Sequence, residues 1–169
     1  MNKPESVKDL FIMALGFAYD CEQQLIKALP KMAQASTSTQ LRQAFEQHLE
    51  ETRTHATRLE EVFSGLQQKP EARKNEVVRA LIDESEQMMD RIDRSPLLDA
   101  ALIVAGNEVE HYEMAVYGSL RTWANLLGNH EAARLLEQTL TEEKAADQKL
   151  THIGESTVNQ EALNVPTHA

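Results

Sequence analysis

Apolar residues recur at steps of three and four along five stretches of this chain, and most residues that break helices lie between those stretches. This spacing is that of an α-helix with one buried face. The 169 residues include only six glycines and five prolines. No stretch alternates apolar and polar residues in the way that predicts a β-strand. The sequence therefore predicts an all-α protein.

The five predicted helices differ in length, and the third is the shortest. Pro30 is expected to kink or fray the end of the first helix, and Ser38 or Thr39 can cap the second. A linker at 66–70 precedes the third helix, and Pro70 suits a helix first turn. In chain order the helices are expected at about residues 5–32, at 39–65, between 70 and 94, at 97–127, and up to Gly154.

The order of long and short helices predicts the topology. The first two helices form one hairpin, the last two form another, and the short third helix lies in the crossover between them. Two hairpins with one long crossover are the ferritin-like version of the four-helix bundle. We therefore predict an all-α, ferritin-like four-helix bundle over residues 1–156 and a loosely ordered tail at 157–169.

Charge and pattern argue against several classes of partner. The net charge is −10 and no block of Lys or Arg is present, so a nucleic-acid partner is not expected. No apolar run approaches the roughly 20 residues needed to cross a bilayer, and no signal-peptide pattern is visible. The single cysteine, Cys21, excludes an internal disulfide framework. We expect a cytoplasmic protein with no membrane association and no small-molecule organic cofactor.

Several acidic side chains fall on helix faces that should point into the bundle. A buried charge without a partner costs several kcal/mol, so an acid on an inward face needs a physical reason. Glu50 and Glu142 lie off these faces and are expected to be solvated. The inward candidates, which include one histidine, are Glu22, Glu51, His55, Glu110, Glu113, Glu143 and Asp147.

The hairpin loops predict the height of these residues along the bundle. In an antiparallel hairpin, two residues face each other when they are equidistant from the loop. The candidates of each hairpin satisfy this condition, with loops at 35–39 and at Gly128, so they should meet at one level. The pairs that centre on these loops are Glu22–Glu51, Glu22–His55, Glu113–Glu143 and Glu110–Asp147.

Acids that meet at one level in a core repel one another unless they share protons or bind cations. Hard carboxylate oxygens combined with one imidazole suit iron or manganese. The sequence therefore predicts two bound metal ions, with iron as the first choice and manganese as the alternative.

Four stretches also carry a family resemblance: YDCEQQL at 19–25, HLEET at 48–52, VEHYEMAVYG at 109–118 and LTEEKAAD at 140–147. They resemble the YciE/YciF proteins, which are bacterial stress-associated relatives of rubrerythrin and ferritin. The resemblance covers most of the chain, and VEHYEMAVYG is its most specific part. It implies a rubrerythrin-like di-iron fold, a homodimer, and metal ligands at Glu22, Glu51, Glu110, Glu113 and Glu143.

The chain departs from the usual pattern of such sites. Ferritin-like di-iron sites contain two Glu-x-x-His pairs. The corresponding pairs here are Glu51-x-x-x-His55 and Glu143-x-x-x-Asp147, which leaves at most one histidine ligand. If Asp147 replaces a histidine, oxygen atoms alone should hold one metal ion, and the two positions should differ in affinity.

Other polar residues have more than one interpretation. His48 is expected to be a hydrogen-bonding core histidine rather than a ligand, and Cys21 an inert buried thiol. Glu108 and His111 form the literal Glu-x-x-His pair but should point away from Glu110.

Some roles stay open at the level of sequence. His55 and Asp147 could orient a ligand or a water instead of binding metal. Tyr19, Tyr112 and Tyr117 are core residues whose phenols need partners. One of these phenols could donate to a ligand carboxylate or take part in electron transfer.

Three classes of function remain open. The first is a di-iron oxidoreductase that oxidises Fe(II) or consumes hydrogen peroxide under stress. The second is an iron or manganese protein without turnover, and the third is a metal-free structural or interaction bundle. A storage cage is less favoured because the resemblance implies a dimer. A DNA-protecting ferritin relative is less favoured because no basic tail is present.

Overall fold

The computed structural model describes residues 3–166, which form helices and loops without a strand. The predicted all-α class is confirmed. No helix in this part of the chain is both long and apolar enough to cross a bilayer. The helices are α1 (Val7–Ala35), α2 (Thr39–Gly65), α3 (Glu76–Arg91), α4 (Pro96–Leu126), α5 (His130–Ile153) and α6 (Asn159–Leu163), with a π-helical turn, Gly154–Val158, between the last two.

The helices pack as two hairpins joined by a crossover. α1 packs along α2, and α4 packs along α5. Contacts of α1 with α4 and of α2 with α5 close the four-helix bundle. α3 lies in the crossover and packs on α4 and α1. This is the ferritin-like arrangement that the sequence predicts.

The start of α2 is held by α4 as well as by its own cap. The Ser38 hydroxyl accepts a hydrogen bond from the backbone N–H of Leu41 at 3.3 Å. The fully buried Asp99 of α4 accepts from the N–H groups of Thr37 and Ser38, at 2.8 Å each, and from the Thr37 hydroxyl at 2.5 Å. Both oxygens of Asp99 are therefore hydrogen-bonded, and its charge lies at a helix N-terminus, where it is stabilised.

The linker before α3 is longer than the sequence suggests. α3 begins at Glu76, so the prediction that Pro70 occupies its first turn is wrong. Asn75 is the N-cap instead, because its Oδ1 accepts from the N–H of Val78 at 3.2 Å. The N–H of Asn75 donates to Asp20 of α1 at 2.8 Å, so the cap also ties the linker to the bundle.

Gly16 allows this linker to lie directly against α1. The N–H of Arg73 donates to the carbonyl of Gly16 at 2.9 Å. A Cβ at position 16 would stand 2.7 Å from Arg73 Cγ and 2.9 Å from the backbone oxygen of Glu71. A backbone oxygen cannot move aside as a side-chain end can, so a larger residue at position 16 would displace the linker.

Two details of the helices differ from the sequence expectation. Pro30 lies inside α1, which continues to Ala35. The tail after Ser156, expected to be loosely ordered, is helical as far as Leu163. The reason is Val158, which is fully buried and packs with the core, so the chain stays on the bundle beyond α5. Residues 167–169 of the predicted tail lie outside the described residues.

The core consists of two apolar clusters stacked along the bundle. The first apolar cluster surrounds Leu29, Leu41 and Leu102, near the α1–α2 loop. The second surrounds Phe11, Phe63 and Leu136, towards the other end. All four long helices contribute to both clusters. Each of these four helices carries buried polar residues at the level between the two apolar clusters.

Candidate metal centre

A band of buried polar side chains separates the two apolar clusters. On α1, for example, Glu22 lies between Ala18 of the second cluster and Leu25 of the first. The glutamates of the band are at most 3% exposed and the histidines at most 6%. The ionisable residues of this band are Glu22, His48, His55, Glu110, Glu113 and Glu143.

Helical spacing places these side chains on the inward faces. His48 and His55 are two turns apart on α2, and Thr52 lies between them on the same stripe. The Thr52 hydroxyl donates to the carbonyl of His48 at 2.8 Å, so it is satisfied within its own helix. On α4, Glu110 and Glu113 are one turn apart and share a face.

The six side chains form two groups that share one residue. The His55 group consists of Glu22, His55 and Glu143, and the His48 group consists of His48, Glu110, Glu113 and Glu143. Within each group the ligand atoms lie within 4.8 Å of one another. Glu143 Oε1 is 2.9 Å from His55 Nδ1, and Glu143 Oε2 is 3.8 Å from His48 Nε2. One carboxylate therefore faces both imidazoles.

Most polar atoms of the two groups are buried without a hydrogen bond. These atoms include both oxygens of Glu143, both ring nitrogens of His48 and Nδ1 of His55. One oxygen each of Glu22, Glu110 and Glu113 shares this state. Buried polar groups in folded proteins are nearly always hydrogen-bonded, so a cluster of unpaired ones requires an explanation. Carboxylate oxygens and imidazole nitrogens are common metal ligands, and the donor set fits a pair of divalent cations.

Three carboxyl groups of the band, those of Glu22, Glu113 and Glu143, resist ionisation. Burial raises the pKa of Glu22, and Glu143 adds to this effect because two negative charges would face each other. The pKa of Glu113 is raised well above its usual value by burial and then by the charges of Glu143 and Glu22. Burial also raises the pKa of Glu143. The metal-free cluster therefore holds protons that a cation would have to displace.

The neighbouring carboxylates keep the two imidazoles charged. Burial by itself lowers the pKa of His48, but the carboxylates of Glu110 and Glu51 outweigh it and raise the pKa well above the usual value. The pKa of His55 is also raised despite burial, because Glu142 and Glu143 face its ring. Without metal, these imidazoles act as the cations of the cluster.

His55 is fixed from its outer side by an ion pair. Its Nε2 is 2.9 Å from Glu142 Oε2, to which it donates when it carries the proton. Arg58 donates to both oxygens of Glu142, at 2.9 Å for the Nη2 bond. Burial tends to raise the pKa of Glu142, but His55 and Arg58 outweigh it and lower that pKa to about 2. Such an outer carboxylate sets the orientation of a histidine and leaves Nδ1 free to bind metal.

Two further side chains touch the carboxylates from the apolar side. The Tyr117 hydroxyl donates to Glu22 Oε1. The Cys21 thiol lies 3.5 Å from Glu113 Oε1. Burial raises the pKa of Cys21, and Glu113 raises it further, so the thiol stays protonated. This agrees with the sequence expectation of an inert thiol.

Comparison with known proteins places the chain in a family. The model of a domain of unknown function, DUF892, matches residues 6–163. Protein YciF of Escherichia coli (strain K12) is 42% identical over 161 residues, which are 95% of this chain and 97% of that protein.

The chain belongs to the DUF892 family.

Solved structures support both the family and the fold. The crystal structure of the E. coli stress protein YciF matches with a TM-score of 0.89 at 40% identity, over 93% of this chain and 99% of that one. YcfI from Rhodopseudomonas palustris matches with a TM-score of 0.83 at 41% identity, over 87% of this chain and 94% of that one. A two-domain protein of Anabaena variabilis that contains a ferritin-like domain matches at 14% identity, with a TM-score of 0.63 over 98% of this chain and 41% of that one. The last match shows the fold alone.

Five of the seven predicted site residues of this DUF892 chain lie in the two groups. They are Glu22, His55, Glu110, Glu113 and Glu143. Glu51 belongs to neither group: its side chain is 32% exposed, and its Oε2 is 3.6 Å from His48 Nδ1. Asp147 also belongs to neither group, and its Oδ1 lies 3.1 Å from Nε2 of the exposed His111.

One prediction about α5 is wrong. Glu142 is not simply solvated, because it is half-buried and binds His55 and Arg58. The limit of one histidine ligand stays a prediction, but a second histidine, His48, lies in a group with Glu110, Glu113 and Glu143 that could hold a metal ion. The sequence contained the signal for His48, which stands on the same apolar stripe as Thr52 and His55, whereas Glu51 stands beside that stripe.

The remaining polar residues considered in the sequence analysis lie outside the two groups. Glu50 is solvated as predicted, with a side chain 67% exposed and paired with Arg53. His111 points away from the cluster, as predicted, and is 67% exposed. Tyr19 donates to Glu60 at 2.7 Å, and Tyr112 accepts from Asn75 at 2.7 Å. Tyr117 is therefore the tyrosine that contacts a carboxylate of the cluster.

Proposed function

We propose that the buried band binds two divalent metal ions, iron in the first place and manganese as the alternative. The observation that carries the proposal is the position of Glu143, which belongs to both groups and has no hydrogen bond at either oxygen. A carboxylate with this placement suits a bridge between two cations. Each group also contains one imidazole and at least one other carboxylate. This combination of oxygen and nitrogen ligands suits iron and manganese.

The residues divide between the two positions. His55, Glu22 and Glu143 would hold one ion, and His48, Glu110 and Glu143, with Glu113 beside them, would hold the other. The four carboxylates offset the charge of two divalent ions. A pair of ferrous ions would supply two electrons to an oxidant such as dioxygen or hydrogen peroxide.

The surrounding residues prepare the site for such chemistry. Arg58 and Glu142 hold the ring of His55 from outside, which fixes the nitrogen that faces the cluster. The Tyr117 hydroxyl donates to Glu22 and holds a proton beside the cluster. The two apolar clusters exclude bulk water from above and below. We infer that the protein oxidises Fe(II) or consumes peroxide, in line with the description of its relative YciF as a stress protein.

Metal analysis tests the binding step separately from turnover. Anaerobic loading of the purified protein with Fe(II), followed by removal of free metal, should leave two ions per chain. Glu143→Gln should reduce this content, whereas the surface control Glu50→Gln should not. Exposure of the loaded wild type to oxygen or peroxide should then change its visible absorbance.

Two results would count against the proposal at different levels. A loaded protein that keeps its iron but does not react with either oxidant would be a binding protein without turnover. A folded wild type that retains no iron or manganese would contradict metal binding itself. That result would favour the structural role that is proposed in the description of YcfI.

A further inference from the structure

Side chains of α2 and α5 bridge the seam between these two helices at two levels along the bundle axis, and a gap lies between the two levels. At one level Lys149 of α5 donates to the Gln47 side chain of α2 at 2.6 Å. At the other level Glu142 of α5 is paired with Arg58 of α2. The α5 residue between these levels on the same face is Ala146, because residues four and seven apart align along a helix. The small side chain leaves the seam unfilled at this height.

A cavity of about 80 Å³ occupies this gap and reaches the buried polar band. Its lining runs from Lys149 and Gln47 at the surface, past Ala146 and Glu51, to His48 and Glu110 of the band. A cavity needs roughly 10–15 Å³ to hold one water molecule, so this cavity has room for several waters. It connects solvent with the His48 group.

Glu51 stands at the middle of this opening. Gln47 donates to its Oε1 at 2.7 Å, and its Oε2 faces His48 Nδ1 at 3.6 Å. One oxygen is therefore held towards the surface and the other points inward. His48 in turn is only 6% exposed and has no hydrogen bond at either ring nitrogen, although Glu110 Oε1 is 3.1 Å from its Nε2. Polar atoms thus continue without interruption from the surface to the cluster.

We propose that this opening is the route by which divalent cations reach the buried cluster, and that Glu51 is the carboxylate that receives the cation from solvent. The inference rests on the proposed metal binding of the cluster. It gives Glu51 a role on the path instead of the permanent ligand role implied by the sequence. Lys149 opposes the same step, because its positive charge stands at the mouth of the opening.

A path residue and a ligand have different kinetic signatures. Removing a ligand weakens the complex, so the metal leaves faster. Removing a carboxylate that only assists passage slows arrival and departure together, so the equilibrium affinity stays the same. The two roles of Glu51 can therefore be separated by measuring rates and affinity on one variant.

The test uses Co(II) as the probe, because its visible absorbance changes when it enters a protein site. Stopped-flow mixing with the metal-free full chain gives the association rate, chelator chase gives the dissociation rate, and equilibrium titration gives the affinity. For Glu51→Gln we expect both rates to fall about 10-fold and the dissociation constant to stay within about twofold, in the range of electrostatic effects on association. Glu50→Gln is the matched control one residue away, and both its rates should be unchanged.

Two further variants change the opening from the other helix. Lys149→Gln should speed Co(II) association about threefold at low ionic strength, and added salt should reduce this gain. Ala146→Leu should fill the gap and slow association by about 10-fold or more, because packed interiors leave no space for a cation. Ala115→Leu on the exposed face of α4 controls for the added side chain. The thermal midpoints of the metal-free variants show that each is folded.

The outcomes separate this inference from the proposed function. If wild-type protein binds no Co(II), the metal-binding proposal itself is contradicted. If Co(II) binds but Glu51→Gln and Ala146→Leu bind it at the wild-type rate, the path lies elsewhere and this inference is overturned. If Glu51→Gln weakens the affinity and accelerates dissociation, Glu51 is a ligand and the path role is likewise overturned.

Discussion

Asp99 and Glu143 are both fully buried carboxylates on the same bundle, but their surroundings differ completely. Asp99 lies at the start of α2, and both of its oxygens accept hydrogen bonds from Thr37 or Ser38. Glu143 lies in the polar band, and neither of its oxygens has a hydrogen bond. Burial alone therefore does not distinguish a structural acid from a functional one.

The difference lies in where the partners of each carboxylate come from. The fold itself supplies the partners of Asp99, so folding satisfies this acid and the acid stabilises the fold. The fold brings His55 Nδ1 to within 2.9 Å of Glu143 Oε1 but forms no well-aligned hydrogen bond with either oxygen, and burial raises the pKa of Glu143 although His55 opposes this. Under the proposed function, an acid of this second kind contributes to metal binding at the expense of stability.

The largest effect is expected from removing Glu143, the shared acid of the proposed metal site. Glu143→Gln should weaken metal binding by well over ~100-fold, more than the loss of an outer hydrogen-bond partner causes, because both positions lose a shared ligand. The metal-free variant should be as stable as the wild type, or more so, since a buried carboxylate leaves the cluster. Equilibrium Co(II) titration and urea unfolding measure the two quantities.

This prediction would fail if the metal-free Glu143→Gln protein lost several kcal/mol of unfolding free energy. Glu143 would then be a structural partner of the imidazoles, like Asp99 at α2.

The structural acid should give the reverse result. Asp99→Ala should lower the free energy of unfolding by about 3 kcal/mol, because two backbone N–H groups and one hydroxyl lose a charged acceptor. Its folded fraction should bind metal with unchanged affinity. Asp99→Asn keeps one acceptor oxygen and should lose less, which urea unfolding in the presence of a chelator can show. A loss of metal affinity in Asp99→Ala would mean that the two regions are coupled.

A smaller effect is expected at the outer partner of His55. Glu142→Gln should weaken metal binding by about 10–100-fold, because the imidazole loses the carboxylate that fixes its orientation. Arg58→Gln should act in the same direction. Competition with a chelator measures the affinities, and Glu50→Gln serves as the exposed control. Unchanged affinity in both variants would mean that His55 is positioned by the cluster alone.

The pH dependence of the metal-free protein should be the most gradual effect, because it is spread over several pH units. The pKa values of Glu22, Glu113 and Glu143 are raised in the folded protein, as are those of both histidines. The folded state therefore binds more protons than the unfolded state above about pH 4.5, so the free energy of unfolding falls as pH rises. We expect a loss of about 1 kcal/mol per pH unit between pH 5 and 8, roughly one proton.

Groups with lowered pKa values do not cancel this trend. Glu51 and Glu142 stabilise the fold above their unfolded pKa and lose that contribution only below about pH 4.5. Urea titrations with a chelator at each pH measure the slope, and Glu143→Gln should reduce it. A free energy of unfolding that stays constant or rises between pH 5 and 8 would contradict the claim that the folded protein binds more protons than the unfolded one.

The sequence predicts most of the fold because local signals agree with the packing. The cap at Ser38 and the turn at Gly128, whose φ is 73°, lie where the sequence pattern predicts them. The sequence does not predict the course of the linker, which depends on the contact of Arg73 with Gly16. It also misses the helix after Gly154, because a single buried Val158 in a polar segment gives no periodic signal.

The residues of the candidate site were predicted less completely than the fold, for a geometric reason. Equidistance from a loop fixes height along the bundle, whereas adjacent residues differ by about 100° around the helix. Glu51 has the right height but stands beside the inward stripe, and Glu142 turns towards Arg58 on the neighbouring helix. Which neighbour a flanking residue meets depends on the packing of the helices, which a single sequence does not show.

The most direct test of the central claim is anomalous X-ray scattering from crystals loaded anaerobically with Fe(II), collected on both sides of the iron absorption edge. We expect two anomalous peaks in the polar band, one among Glu22, His55 and Glu143 and the other among His48, Glu110 and Glu143, and crystals of Glu143→Gln should lose them. Loaded wild-type crystals with no peak in the band, or with iron only at surface acids, would contradict the account.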